Sequence, residues 1–200
     1  MQLSSTWTVH AEVVPTTKQR PTSTAAWLAT LEPVFSFTTA VDFWGWFDHC
    51  VLPSAWSPQH VRSLRVFKHG VSLLAEDAAN AGAGRLLLDC GALDATAADD
   101  VWGRALVFAV SGAAGDELHP HINGVAATLK RAPSLPLPPS RGGGKPEAKA
   151  KDHYVRVEVW LHSDAAAAPS LIQRLTEALR GFLRVNVPIT YQPHQQDTAK

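Results

Sequence analysis

The segment Tyr154-Val155-Arg156-Val157-Glu158-Val159-Trp160-Leu161 alternates without a break between two kinds of side chain. In an extended chain Val155, Val157, Val159 and Leu161 fall on one face, and Tyr154, Arg156, Glu158 and Trp160 on the other. The valine face calls for a layer of helices. The opposite face mixes aromatic and charged groups, as a wet binding surface would. Working outward, Trp7, Val9, Ala11 and Val13 alternate with Thr8, His10 and Glu12 and read as a half-buried strand. Residues 85–90 (RLLLDC) and 124–129 read as further strands, and Val185, Val187, Ile189 and Tyr191 alternate as a last one. Helices are expected between them. Thr38 and Thr39 can cap a helix through AVDFWGWFDHCV (residues 40–51), with Asp42 in its first turn. Thr96, Asp99 and Asp100 open a second helix that continues through Val101, Trp102, Ala105, Leu106 and Val110. Pro169 and Ser170 start a third, with Leu171, Leu175, Leu179 and Phe182 near helical spacing. Strands interrupted by only three helices, without strict strand–helix alternation, predict an α+β fold: an antiparallel sheet with helices on one face.

Composition narrows the function. The chain has 200 residues, 46% hydrophobic and 18% charged, which fits one globular domain. Lys and Arg number 18 against 18 Asp and Glu, so the net charge is zero. That balance argues against coating long stretches of nucleic acid backbone, where affinity comes from excess cations. A pocket for the end of a nucleic acid needs only two or three. No apolar run is long enough to span a membrane. The stretch MQLSSTWTVHAEVV lacks the basic and apolar regions of a secretory signal. Cys50 and Cys90 stand alone, which fits a reducing, cytoplasmic compartment.

Residues 132–151 (APSLPLPPSRGGGKPEAKAK) carry five prolines and three consecutive glycines, too little apolar surface to order a core. They read as a flexible loop within one domain of residues 1–200, with an interdomain linker as the alternative. The 49 residues that follow are few for a second core. No catalytic, cofactor or metal site is expected. His119-Pro120-His121 offers two imidazoles where zinc usually takes three or four ligands. Gly142-Gly143-Gly144-Lys145 lacks the earlier glycine of a phosphate loop, and Pro146 stands where it needs Ser or Thr. No nucleophile motif is present.

Several short stretches in a shared order then become informative. Val41-Asp42-Phe43-Trp44 has the form of an EDFW motif, and Trp27 stands 17 residues before Trp44. Residues 64–76, with Phe67-Lys68-His69-Gly70, have the form of SLFKDG-x-x-x-x-WE. Trp160 ends a strand like IAIW, and Tyr191-Gln192-Pro193-His194 is like YQ-x-H. Together these resemble the eukaryotic translation initiation factor 4E family, the mRNA cap-binding proteins, over almost the whole chain. The resemblance implies a curved antiparallel sheet with three helices on its convex side and a cap pocket on the concave side. It implies that Trp27 stacks on the methylated guanine, whose positive charge adds cation–π attraction. Glu76 would accept hydrogen bonds from the guanine edge. Lys130 and Arg156, with Arg85 as a further candidate, would hold the phosphates, and Trp160 would pack near the N7 methyl group.

One departure stands out. The family sandwiches the base between two tryptophans, and the second should immediately precede the acid. Ala75 stands there, after Leu74. A stacked base is worth about 1–3 kcal/mol, so the missing wall implies binding weaker by roughly 5- to 150-fold unless Leu74 supplies an aliphatic substitute. Trp56 lies in a loop at the other end of the strand and is not expected to serve. The resemblance also assigns a protein-partner surface on Trp44, flanked by Ala40, Gly103 and Val107. These are smaller than is usual, which implies an altered partner preference. Its occupant would be a peptide helix from a scaffold initiation factor of the 4G type or from a 4E-binding protein. Arg141, Lys145, Lys149 and Lys151 would extend the phosphate site or form a solvated loop. Trp7 and Trp102 read as core. The implied protein is a cytoplasmic, non-catalytic cap-binding translation factor, monomeric before assembly. A diverged repressor or interaction module with weak cap binding is the alternative. A small hydrolase or metal-dependent enzyme built on the histidines is the reading from another class.

Overall fold

The computed structural model describes residues 1–14, 23–57, 59–131 and 153–194. Within them the alternation at Tyr154 becomes a central strand of a seven-stranded sheet. The strands are β1 (Gln2–Val13), β2 (Leu31–Thr39), β3 (Val61–Lys68), β4 (Gly84–Asp89), β5 (Ile122–Arg131), β6 (His153–Leu161) and β7 (Ile189–Pro193). Their order across the sheet is β2-β1-β3-β5-β6-β4-β7, and every neighbouring pair is antiparallel. The predicted α+β class with an antiparallel sheet is therefore what the chain adopts.

Among the described residues four α-helices accompany the sheet: α1 (Thr24–Leu28), α2 (Ala40–Phe47), α3 (Ala95–Val110) and α4 (Pro169–Leu183). Thr39 caps α2: its Oγ1 accepts from the Asp42 N–H at 3.1 Å and donates to the Asp42 carboxylate at 2.7 Å. This helix ends at Phe47, earlier than the predicted residue 51. One physical reason is local, because the carbonyl of Gly45 is taken by the His49 ring Nδ1 at 2.8 Å. The cap of α3 is Asp94, which accepts from the Ala97 N–H at 2.8 Å, so the helix starts before Thr96. Pro169 opens α4, and Arg184 closes it in the left-handed conformation at φ 53°.

The valine face of β6 is covered as expected. Val157 and Val159 join Trp7, Val9, Val66, Val125 and Leu88, all fully buried, beneath Val101, Trp102, Ala105 and Leu106 of α3 and Leu175 and Leu179 of α4. Trp7 and Trp102 are thus core, as read from the sequence. Trp56 is core as well, with its Nε1 donating to the Val51 carbonyl at 2.7 Å.

The opposite face carries a second, smaller cluster of Leu31, Phe67, Leu73 and Trp160. Gly124 makes it possible. A Cβ there would come within 2.5 Å of the Phe67 ring. Without it, Phe67 lies against β5 and meets the edge of Trp160 at 5.5 Å between centroids.

One predicted element is corrected. β7 spans only Ile189–Pro193, so Val185 and Val187 precede it. Pro188 has no N–H to offer a ladder, and Val187 instead turns into the core. The expectations for residues 132–151, including Arg141, Lys145, Lys149 and Lys151, fall outside the described residues. Among the described residues no helix is long and apolar enough to cross a membrane.

Candidate functional site

Two connections at one end of the open face build a cavity. The link between β1 and β2 contains α1, which carries Trp27. Ser23 Oγ accepts from the Ala26 N–H at 3.1 Å, and Thr30 Oγ1 donates to the Trp27 carbonyl at 2.7 Å, so the tryptophan sits on a single turn closed at both ends. The link between β3 and β4 supplies Leu73, Leu74, Ala75 and Glu76. Buried Asn80 holds it, its Nδ2 donating to the carbonyls of Ser72 and Leu74 at 2.8 Å each. Asn80 Oδ1 in turn accepts from Asn123 Nδ2 at 2.8 Å, which anchors the loop to β5. Trp27, Leu74, Ala75, Glu76, Arg65, Arg85 and Trp160 are among the residues that line the resulting open cavity of about 640 Å³.

The floor is held by one carboxylate. Glu158 is only 2% exposed. Its Oε1 receives Arg156 Nη2 at 2.7 Å and Nε at 2.9 Å, and its Oε2 receives Arg85 Nη1 and Trp160 Nε1, each at 3.2 Å. Arg85 also donates from Nε and Nη2 to Gln192 Oε1 at 3.2 and 3.0 Å. Burial opposes the charge on Glu158. The guanidiniums of Arg85, Arg156 and Arg65 outweigh it and hold the carboxyl below its ordinary value. The Lys130 side chain has its ammonium pushed down by burial and then by Arg156. Two guanidiniums thus bond one buried carboxylate, a third stands near it, and the surplus of this floor is positive.

Arg65 was missed by the sequence reading, as was the pairing role of Glu158. Register explains both. Arg65 pairs with Ala126, and Ala126 pairs with Glu158, so one row across three strands brings them together. The Arg65 guanidinium carbon lies 5.1 Å from the Trp27 ring centroid and 5.9 Å from that of Trp160. Arg85 lies 5.7 Å from the Trp160 ring on its own account. Trp160 is therefore a buried floor, 4% exposed, tucked under cations and beside the His194 ring at 4.5 Å.

Of the residues picked out in the sequence, Trp27, Ala75, Glu76, Trp160 and Arg85 meet at this one cavity. Arg156 joins through Glu158, and Lys130 stands one strand away, paired with Tyr154. Ala75 leaves no aromatic wall at its position, with Leu74 beside it on the rim.

A second surface lies among the helices. Trp44 is 45% exposed, and with Phe47, Leu52, Gly103, Val107 and Phe182 it borders an apolar groove of about 520 Å³. A Cβ on Gly103 would meet the Phe47 ring at 3.1 Å, so glycine here lets that ring lie close to α3. Ala40 does not line the groove. It lies at the first turn of α2, half-buried against the core, where its N–H donates to the Met1 carbonyl at 2.9 Å.

His119 is buried beside Trp7 and bonded to Ser4 Oγ at 2.9 Å. Among the described residues no group of three or more His, Cys, Asp or Glu stands close enough to hold a metal ion.

The family model of eukaryotic initiation factor 4E matches residues 2–135. Comparison with curated proteins gives no match. Solved structures are similar throughout. Ascaris suum eIF4E-3, solved with an m2,2,7G cap, is 18% identical at a TM-score of 0.73, covering 100% of this chain and 94% of its own. C. elegans eIF4E-3 with the 4E-binding protein Mextli is 18% identical at 0.72, covering 96% and 93%. Schistosome eIF4E with m7GpppA and 4E-BP is 21% identical at 0.70, covering 99% and 93%.

Proposed function

Because the chain belongs to the eukaryotic initiation factor 4E family, we propose that it binds the 7-methylguanosine cap of mRNA and acts in translation initiation. It does so in the cytoplasm, by recognition alone and without catalysis. Trp27 stacks on the base, Glu76 accepts from the guanine edge, and Trp160 forms the floor beneath the N7 methyl group. Arg85, Arg156 and Lys130 take the triphosphate. The observation that carries this reading is the meeting of Trp27, Glu76, Arg85 and Trp160, from four separate parts of the chain, around one cavity beside a cationic floor. The Ascaris structures, solved with m7G and m2,2,7G caps, support it.

With Ala75 in place of a second stacking tryptophan, the complex is weak. Titration of m7GTP against intrinsic tryptophan fluorescence should give a dissociation constant roughly 5- to 150-fold above that of two-tryptophan relatives. A constant in the relatives' range refutes that expectation, and no saturable quenching refutes cap binding itself.

The groove at Trp44 favours a second, compatible role as the seat of a partner helix, from a scaffold factor of the 4G type or a 4E-binding protein. Its apolar lining and the exposed indole support this, and relatives were solved with Mextli and with 4E-BP. Truncating a central aromatic anchor commonly weakens such an interface by about tenfold or more. Trp44→Ala should weaken a 4E-binding peptide by that factor in fluorescence anisotropy and leave m7GTP binding intact. Equal peptide affinity for parent and variant rules out the groove.

A further inference from the structure

Arg62, Arg65 and Arg85 all line the cavity, and of the three Arg65 is the buried one. Arg65 is 8% exposed, lines the cavity, and holds its guanidinium against the Trp27 ring. Its Nε and Nη1 are buried without a hydrogen-bond partner. A buried guanidinium with two unmet donors is unusual, because such donors normally cost about 1–3 kcal/mol each when left bare. What holds it is the pair of rings beside it and the charges of Glu158 and Glu12.

We propose that Arg65 determines which bases this cavity accepts: held beside Trp27 as the site's own cation, its charge repels a positively charged, N7-methylated purine but not a neutral one, and so offsets much of the advantage of the methylated base. The inference rests on the cap reading of the same cavity. A methylated guanine gains over guanine chiefly because its charge is attracted to an aromatic face. Here that face already holds a charge. The incoming base stacks only after Arg65 leaves, and a methylated base then adds a positive charge to a floor that keeps Arg65, Arg85 and Arg156 close by. A neutral purine must also displace the side chain but meets no such repulsion. Glu12 offers the displaced guanidinium a resting place, since it lines the same cavity and is fixed by Ser63 Oγ at 2.8 Å.

The test is calorimetric titration of m7GTP and of GTP into the parent protein and into Arg65→Gln and Arg65→Ser. The parent should favour m7GTP by only a small factor. Both variants should raise the m7GTP-to-GTP affinity ratio by about 5- to 30-fold, because they remove a repulsion that only the charged base feels. Arg65→Gln keeps the aliphatic stem and removes an unpartnered charge, and a thermal melt of each variant confirms that it is folded. Measurable m7GTP binding with an unchanged or smaller ratio overturns the inference and leaves the cap reading standing. Binding of neither nucleotide by the parent or the variants overturns both.

Discussion

Trp27→Ala is expected to abolish retention on m7GTP-coupled resin. Among the described residues the cavity has only two aromatic linings, Trp27 and Trp160. Trp160 is nearly enclosed, between Phe67, His194 and the guanidiniums of Arg65 and Arg85, and offers a base little open face. Where a second tryptophan would stand in the family there is Ala75. Trp27 therefore has no stand-in. Stacking contributes about 1–3 kcal/mol per base. Loss of that stacking alone corresponds to roughly 5- to 150-fold on a complex that already lacks its second wall, enough to empty a resin. The fold should not suffer, since α1 is a five-residue helix with no buried residue. An unchanged thermal melt with lost retention is the expected pair of results. Parent and variant retained alike would show that the base does not stack there.

What the sequence could and could not disclose follows from where each strand lies. β1 and β6 were legible because one face of each meets helices and the other is polar, so residue type alternates with every step. β3 hides the same alternation. Leu64 and Val66 face the helices, while Arg65 and Phe67 are buried just as deeply on the cavity side, so its residues read as a run without period. β2 is an edge strand with Pro33 inside it, which an edge tolerates but a pattern search penalises. The site divides in the same way. Trp27, Glu76 and Trp160 could be placed because their separations along the chain match a known motif order. Arg65 and Glu158 could not. Their burial arises from a register row through Ala126 on a third strand, and nothing local to either residue signals it. Ala40, one turn before Trp44, packs partly against the core and is not among the residues that border the groove.

Replacing Glu158 by glutamine should move stability and anion affinity in opposite directions. The carboxylate is buried and joined to Arg85, Arg156 and the Trp160 indole. Removing one partner of a buried ion pair typically costs about 3–5 kcal/mol, because the remaining charge is stranded. Both arginines here keep about a quarter of their side-chain surface exposed and can turn toward water, so the expected loss is near the lower end, about 3 kcal/mol in urea unfolding at neutral pH. The pH dependence has a definite sign. Burial raises the Glu158 carboxyl, but Arg85, Arg156 and Arg65 pull it below its ordinary 4.5, so the ionised form is the stabilising one. Its contribution is complete above that ordinary value and is lost as pH falls through the lower value of the folded state. The stability curves of parent and Glu158→Gln should therefore separate near neutrality and converge in acid. A gap that persists at low pH would mean that the side chain acts through packing rather than charge. Affinity runs the other way. The same substitution frees two guanidiniums from their internal anion and leaves the floor one unit more positive, so a triphosphate should bind more tightly and with a steeper dependence on salt. A variant that is less stable yet grips phosphate harder is what a carboxylate that restrains the cationic floor predicts. If both properties fall together, Glu158 instead places the arginines for the phosphates.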